Sequence, residues 1–121
     1  MFAPIFPVVA ASSAVTAVLG TAPVRFWPFG EAPEGSALPY SVWQTVNGTP
    51  ENYLGNAPDL DSYTLQIDVY AATGSSARAA AKALRDAIEP HANIVRWGGE
   101  SREKETNLYR FSFDVDWLTP R

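Results

Sequence analysis

Residues 108–118 read Leu-Tyr-Arg-Phe-Ser-Phe-Asp-Val-Asp-Trp-Leu, and this alternation decides the fold. Tyr109, Phe111, Phe113, Val115 and Trp117 fall on one side of an extended chain, and Arg110, Ser112, Asp114 and Asp116 fall on the other. Successive side chains of a strand point to opposite faces, so the segment reads as a strand with one oily and one polar face. Residues 62–70 repeat the pattern: Tyr63, Leu65, Ile67 and Val69 oppose Ser62, Thr64, Gln66 and Asp68. Two strands of this kind fit a mostly antiparallel sheet covered on one face only.

Helices supply the cover. Residues 76–89 place Ala77, Ala80, Ala81, Leu84, Ala87 and Ile88 in a narrow apolar stripe flanked by Arg78, Lys82 and Arg85. Ser75 is the expected N-cap, Lys82–Asp86 and Arg85–Glu89 lie four apart, and Pro90 ends the helix. A stripe made mostly of alanine can approach the sheet closely. Residues 5–19 form the second predicted helix, with Ile5, Val8, Ala11, Val15, Val18 and Leu19 on one side. Pro4 and Pro7 suit its first turn, and Gly20 is its stop.

Shorter strands are predicted at 24–29, 39–46 and 93–97. In the second, Tyr40, Val42, Gln44 and Val46 face one way and Ser41, Trp43 and Thr45 the other, so neither face is fully solvated. Turn formers mark loops at 30–37, 47–59 and 98–106. A connection as long as 47–59 in a compact domain is usually functional or disordered, and Tyr53 and Leu54 within it speak against a pure linker. The order helix, strand, strand, strand, helix, strand, strand predicts an α+β fold: a mostly antiparallel sheet with two helices packed on one face, in one domain over 1–121. Its polar face would meet water or a neighbouring subunit.

The composition excludes several classes. With 121 residues, 46% of them hydrophobic and 18% charged, the chain can bury a core and is not a disordered polymer. A net charge of −4 argues against a protein that grips nucleic acid through phosphates. The charge is uneven: residues 1–70 hold Arg25 against six acids, and residues 71–121 hold eight bases against seven acids. Such a split can serve self-association. No cysteine is present, which removes disulfides, thiol catalysis and zinc–cysteine sites. No base precedes Arg25, and Pro4, Pro7, Ser12, Ser13 and Thr16 break the early apolar run, which argues against a secretion signal and against a membrane span. For the same reason the glycosylation spacing of Asn47-Gly48-Thr49 carries no weight.

Little in the chain promises chemistry. His91 is the only histidine, and a general base also needs a nucleophile and an orienting partner. Asp114 and Asp116 could pair as carboxylates, but their spacing is that of the wet side of an amphipathic strand. Asp59 and Asp61 sit where aspartates favour turns. No glycine-rich phosphate loop follows a strand, and the Arg78/Lys82/Arg85 stripe is offset by Asp86 and Glu89. Trp27, Phe29 and Trp43 are the aromatics expected to face a partner. Neither catalytic, cofactor nor metal residues are expected; the chain reads as a non-enzyme.

Phe26-Trp27-Pro28-Phe29-Gly30, Leu38-Pro39-Tyr40-Ser41-Val42-Trp43 and Val46-Asn47-Gly48-Thr49-Pro50 resemble segments of the phage tail terminator, or tail completion, family, also described as head-tail joining or minor tail proteins. The likeness continues through Leu65-Gln66-Ile67-Asp68-Val69-Tyr70-Ala71, the Ala-rich helix, and Tyr109-Arg110-Phe111-Ser112-Phe113-Asp114-Val115. It covers nearly the whole chain in order. The resemblance implies a homo-oligomeric ring, a hexamer, that caps the tail tube protein, ends tube polymerisation and joins the tail to the connector of the head. Such a protein is assembled in the host cytoplasm and resides in the virion tail. DNA would pass through the lumen without specific binding, past Asp68, Asp114 and Asp116. Thr49, Pro50, Glu51, Asn52, Tyr53, Leu54, Gly98, Gly99, Glu100, Arg102 and Lys104 would reach a neighbouring subunit or ring, and Arg78, Lys82 and Arg85 would form a subunit-contact helix face. The residues alone leave two other readings open: a small cytoplasmic oligomeric α+β domain that binds a ligand or regulates, and a cofactor-free enzyme using His91 with a carboxylate.

Overall fold

A computed structural model describes residues 2–53 and 56–120. In chain order it contains α1 (Ile5–Ala10), α2 (Ser13–Leu19), β1 (Phe26–Pro28), β2 (Tyr40–Tyr53), β3 (Asn56–Ala71), α3 (Gly74–Ile88), β4 (Asn93–Arg102) and β5 (Tyr109–Pro120). The strands form one sheet in the order β1-β2-β3-β5-β4. Every pairing is antiparallel except that of β1 with β2. The class is therefore α+β, as the alternation predicts.

The two alternating strands lie side by side at the centre. Leu65 pairs with Val115 and Ile67 with Phe113, and all four are buried beneath the helices. The alanine stripe of α3 works as expected. Ala77, Ala80 and Ala81 are buried beside Leu84 and Ile88, so the helix lies close to the sheet. Ile5, Val9, Val15 and Leu19 of α1 and α2 complete the core with Phe26. Trp43 shares this side of the sheet, and its ring stacks on Phe26 at 4.6 Å between centroids.

Several boundaries differ from the sequence reading, each for a local reason. The predicted helix over 5–19 is two helices, so three rather than two cover the sheet. The Ser12 hydroxyl accepts from the Val15 N–H at 3.3 Å and starts a new helix, the competition that serine offers within a helical pattern. The N-cap of α3 is Thr73, whose hydroxyl accepts from the Ser76 N–H at 3.2 Å, and not Ser75. The strand over 24–29 shrinks to the three residues of β1.

The largest correction concerns the turn formers. Residues 47–53 are not loop: β2 runs on through Thr49, Pro50, Glu51, Asn52 and Tyr53, pairing Thr49 with Ser62, Glu51 with Leu60 and Tyr53 with Asn56. A bulge at Val46 shifts the register. Gly48 serves packing here, since a Cβ would stand 3.0 Å from the Tyr63 ring. Leu54 lies outside the described residues. Likewise Gly98, Gly99, Glu100 and Arg102 belong to β4, which extends past the predicted end at residue 97, and only Lys104 sits in the turn. Two bulges, around Val95 and Gly98, carry that extension. At the second, a Cβ on Gly98 would meet the Ser112 carbonyl at 3.0 Å, and Gly99 takes φ +86°.

Candidate functional site

The surfaces available to partners follow from this topology. Among the described residues β5 pairs as far as Pro120 opposite Leu60, and the β2–β3 pairing runs past that rung to Tyr53 opposite Asn56 as a short two-stranded ribbon. On the β2 side the chain is exposed from Thr45 through Pro50. Of the residues assigned to a reaching loop, Thr49, Pro50 and Glu51 pair with Ser62, Asp61 and Leu60 alongside β5, and only Asn52 and Tyr53 among the described ones extend past the last β3–β5 rung. The second predicted loop is split between the edge strand β4 and a tight turn, where the Arg102 guanidinium donates to the Asn107 side chain.

The uncovered sheet face carries all three predicted acids, but with partners. Asp68 is only 4% exposed, and the Arg110 guanidinium donates to it at 3.0 Å while Gln66 donates at 3.1 Å. Arg96 reaches Asp114 at 3.1 Å across β4 and β5. Asp116 makes no ion pair among the described residues and accepts from the Thr64 hydroxyl at 2.7 Å. Sequence reasoning placed the acids on one face and missed that neighbouring strands return the compensating charges. Cross-strand register, which the sequence does not reveal, creates these pairs.

Tyr40 and Tyr70 stack on the same face at 5.2 Å between centroids. Burial first, and then the Asp68 charge, push the Tyr70 phenol above its ordinary value of 10.0; burial and then Glu103 do the same for Tyr40. A raised phenol keeps its neutral form in the fold, so its stabilising contribution is intact below pH 10.0 and lost as the pH rises beyond it. The melting temperature should fall between about pH 9 and pH 11, and Tyr70→Phe should make that fall shallower. An unchanged slope in the variant would count against a neutral, half-buried phenol.

On α3, Arg78 forms a two-pronged pair with Glu100 of β4, which holds the Glu100 carboxyl below its usual range. Arg78, Lys82 and Arg85 recur at helical spacing, so this stripe lies toward the β4 side. Arg85 turns to Asp86, whereas Lys82 is exposed. Of the three aromatics expected to face a partner, Trp43 is half-buried against the core, Trp27 is half-buried beside Tyr40, and Phe29 is 66% exposed. Phe2, Phe6, Val46, Val95, Trp97 and Leu118 are also exposed. Val46, Trp97 and Leu118 lie in predicted strands, where an apolar residue reads as buried, and only the bulges and the edge position in the sheet explain the exposure of Val46, Val95 and Trp97.

His91 packs beside Trp117 and shares a shallow hollow with Glu89, Asn93 and Asp116. The Asp116 carboxylate is engaged by Thr64 from its own sheet. Among the described residues, no three His, Cys, Asp or Glu side chains gather as metal ligands, and no helix is long and apolar enough to cross a membrane.

Residues 3–120 match the family described as tail completion protein gp17. The chain belongs to the tail completion protein family. It is thus a structural protein of a phage-type tail. A chain in a structure described as the virion of a native gene transfer agent particle is similar in fold, with a TM-score of 0.73 at 16% identity. The alignment covers 97% of this tail completion chain and 92% of that one. No curated protein sequence matches.

Proposed function

We propose that this chain forms a homo-oligomeric ring, a hexamer, on the end of the tail tube, where it ends tube polymerisation and presents the surface to which the head connector docks. The observation carrying this reading is the β2–β3 ribbon, which leaves the sheet beyond Pro120 in a chain of the tail completion family. A subunit with no projecting element can touch only its flat neighbours, whereas a ribbon reaches across a joint between rings. The turn bearing Lys104 offers a second contact, and α3 offers Arg78, Lys82 and Arg85 toward the adjacent subunit. Assembly takes place in the host cytoplasm, and the product is part of the virion.

The uncovered sheet face, with Asp68, Asp114 and Asp116, lines the lumen in this reading. Because Arg110 and Arg96 compensate two of the acids, the face is weakly negative and not strongly so. That suits a channel through which DNA must slide, since any net basic surface would hold phosphates by counterion release. Asp116 is the position to test. Lysine at Asp68 would bury a second cation beside Arg110 and unfold the site, whereas Asp116 has no such partner. Asp116→Lys should leave the subunit folded yet lower infectious titre about tenfold or more, with Asp116→Asn near the parent level. Parent-level titre from the lysine variant would exclude this face as the channel wall.

The function itself is tested by deleting the gene from its phage-type particle. The expected product is DNA-filled heads and separate tails of irregular length, seen by negative-stain microscopy. Normal joined virions would overturn the proposal.

A further inference from the structure

The two ends of the sheet carry different features. At one end, β4 is an edge strand on which Val95 and Trp97 are each 51% exposed, and the basic stripe of α3 runs toward it. At the other end, β1 covers only Ser41–Trp43 of β2, and the edge of β2 beyond Trp43 pairs with no described strand. Around β1 opens an apolar groove of about 540 Å³ between the turn after α2 and the 33–37 segment, with Trp27 and Glu34 in its wall and Phe29 standing exposed nearby.

Charge follows the same division. Glu31 and Glu34 are exposed at the β1 end. Arg25, the one base on that side among the described residues, also lines the groove, with its guanidinium donating to the Pro39 and Val18 carbonyls. At the β4 end Glu100 is already neutralised by Arg78, and Lys82 makes no ion pair among the described residues. The β1 end is acidic and grooved; at the β4 end Arg78, Arg85 and Arg96 are paired with acids, and Lys82 is left as an exposed cation where Val95 and Trp97 are also exposed.

Resting on the ring reading above, we propose that the β4 end of one copy, with Trp97 and Lys82, seats against the β1 end of the next, with Trp27, Phe29 and Glu34. Two different patches on opposite edges of one sheet make a heterologous contact, and a heterologous contact repeated by rotation closes a ring. A second copy is the occupant because Lys82 at one end answers Glu34 at the other, and both ends expose apolar surface that such a contact would cover. The bulges of β4 and its Gly98-Gly99 pair disfavour a continuous backbone ladder, so side chains make the seam.

The absence of cysteine makes the test direct. Glu34→Cys and Lys82→Cys are introduced singly and together, tails are assembled in the host, and purified tails are treated with a short bis-maleimide. The double variant should cross-link into a ladder of multiples of the chain, and each single variant should give none. Like-with-like dimers from a single variant, or a cross-link from Lys82→Cys to another tail protein, would overturn the proposal. Tails that contain the chain but give no ladder would also overturn it, whereas tails lacking the chain would instead remove the ring reading beneath it. Charge reversal supplies an independent measure. Glu34→Lys or Lys82→Glu alone should cut complete tails about tenfold, and the two together should recover most of the loss. A double reversal no better than either single one would sink the pairing.

Discussion

Replacing residues 52–59 with an Asn-Gly turn should leave a subunit that melts like its parent but completes almost no tails. The turn would join Glu51 to Leu60, a pair already in register, and a two-residue Asn-Gly connection matches the twist of such strands. Nothing central is disturbed. The last described β3–β5 rung is Leu60 opposite Pro120, and the described core begins three rungs further in, at Tyr63 and Trp117. Thermal unfolding should shift by no more than a few degrees, roughly what about 0.5 kcal/mol produces in a domain of this size. Infectious titre should fall by about two orders of magnitude or more if, as proposed above, the ribbon makes the contact across the joint between rings. Normal virions from the shortened chain would show that the ribbon is not the joining element, and a large loss of melting temperature would show that it is part of the core.

Phe113→Ala should have the largest effect on stability. Phe113 is fully buried, pairs with Ile67 on β3 and lies against Trp97 of β4. Truncating a buried phenylalanine removes its burial energy and leaves a cavity, a cost of about 3–5 kcal/mol. Against a total of roughly 5–15 kcal/mol for a small domain, that is enough to leave a sizeable unfolded fraction. The urea midpoint should drop sharply with little change in slope. Phe29→Ala, at an exposed site, is the control and should stay within about 0.5 kcal/mol. A loss below about 1 kcal/mol at Phe113 would mean that the sheet centre is loosely packed.

What could be read from the chain was what periodicity encodes. The alternation at 62–70 and 108–118 and the alanine stripe of α3 gave the central strands, their buried face and the helix that covers them. The polar punctuation misled. Asn47, Gly48 and Pro50 look like a loop because these residues usually make turns, yet here a bulge at Val46 and the ring of Tyr63 above Gly48 let the strand continue. Gly98 and Gly99 mislead in the same way on β4. The predicted surface acids were found on one face, but which arginine answers which aspartate depends on register between strands far apart in sequence. Arg110 meets Asp68 and Arg96 meets Asp114 only once the sheet order is known. Ser12 is the subtler case: one hydroxyl cut a helix that the apolar stripe alone would have continued.

The β3–β5 pair runs without a register shift from Leu60 opposite Pro120 to Ala71 opposite Tyr109, while the pairs on either side of it are interrupted by bulges. The consequence is mechanical. A pull along the strands loads every rung of that central ladder in shear at once, whereas the bulged pairs can bend and twist before their rungs yield. The subunit is therefore stiff along its middle and compliant toward its two edges, where it would have to conform to whatever stands beside it.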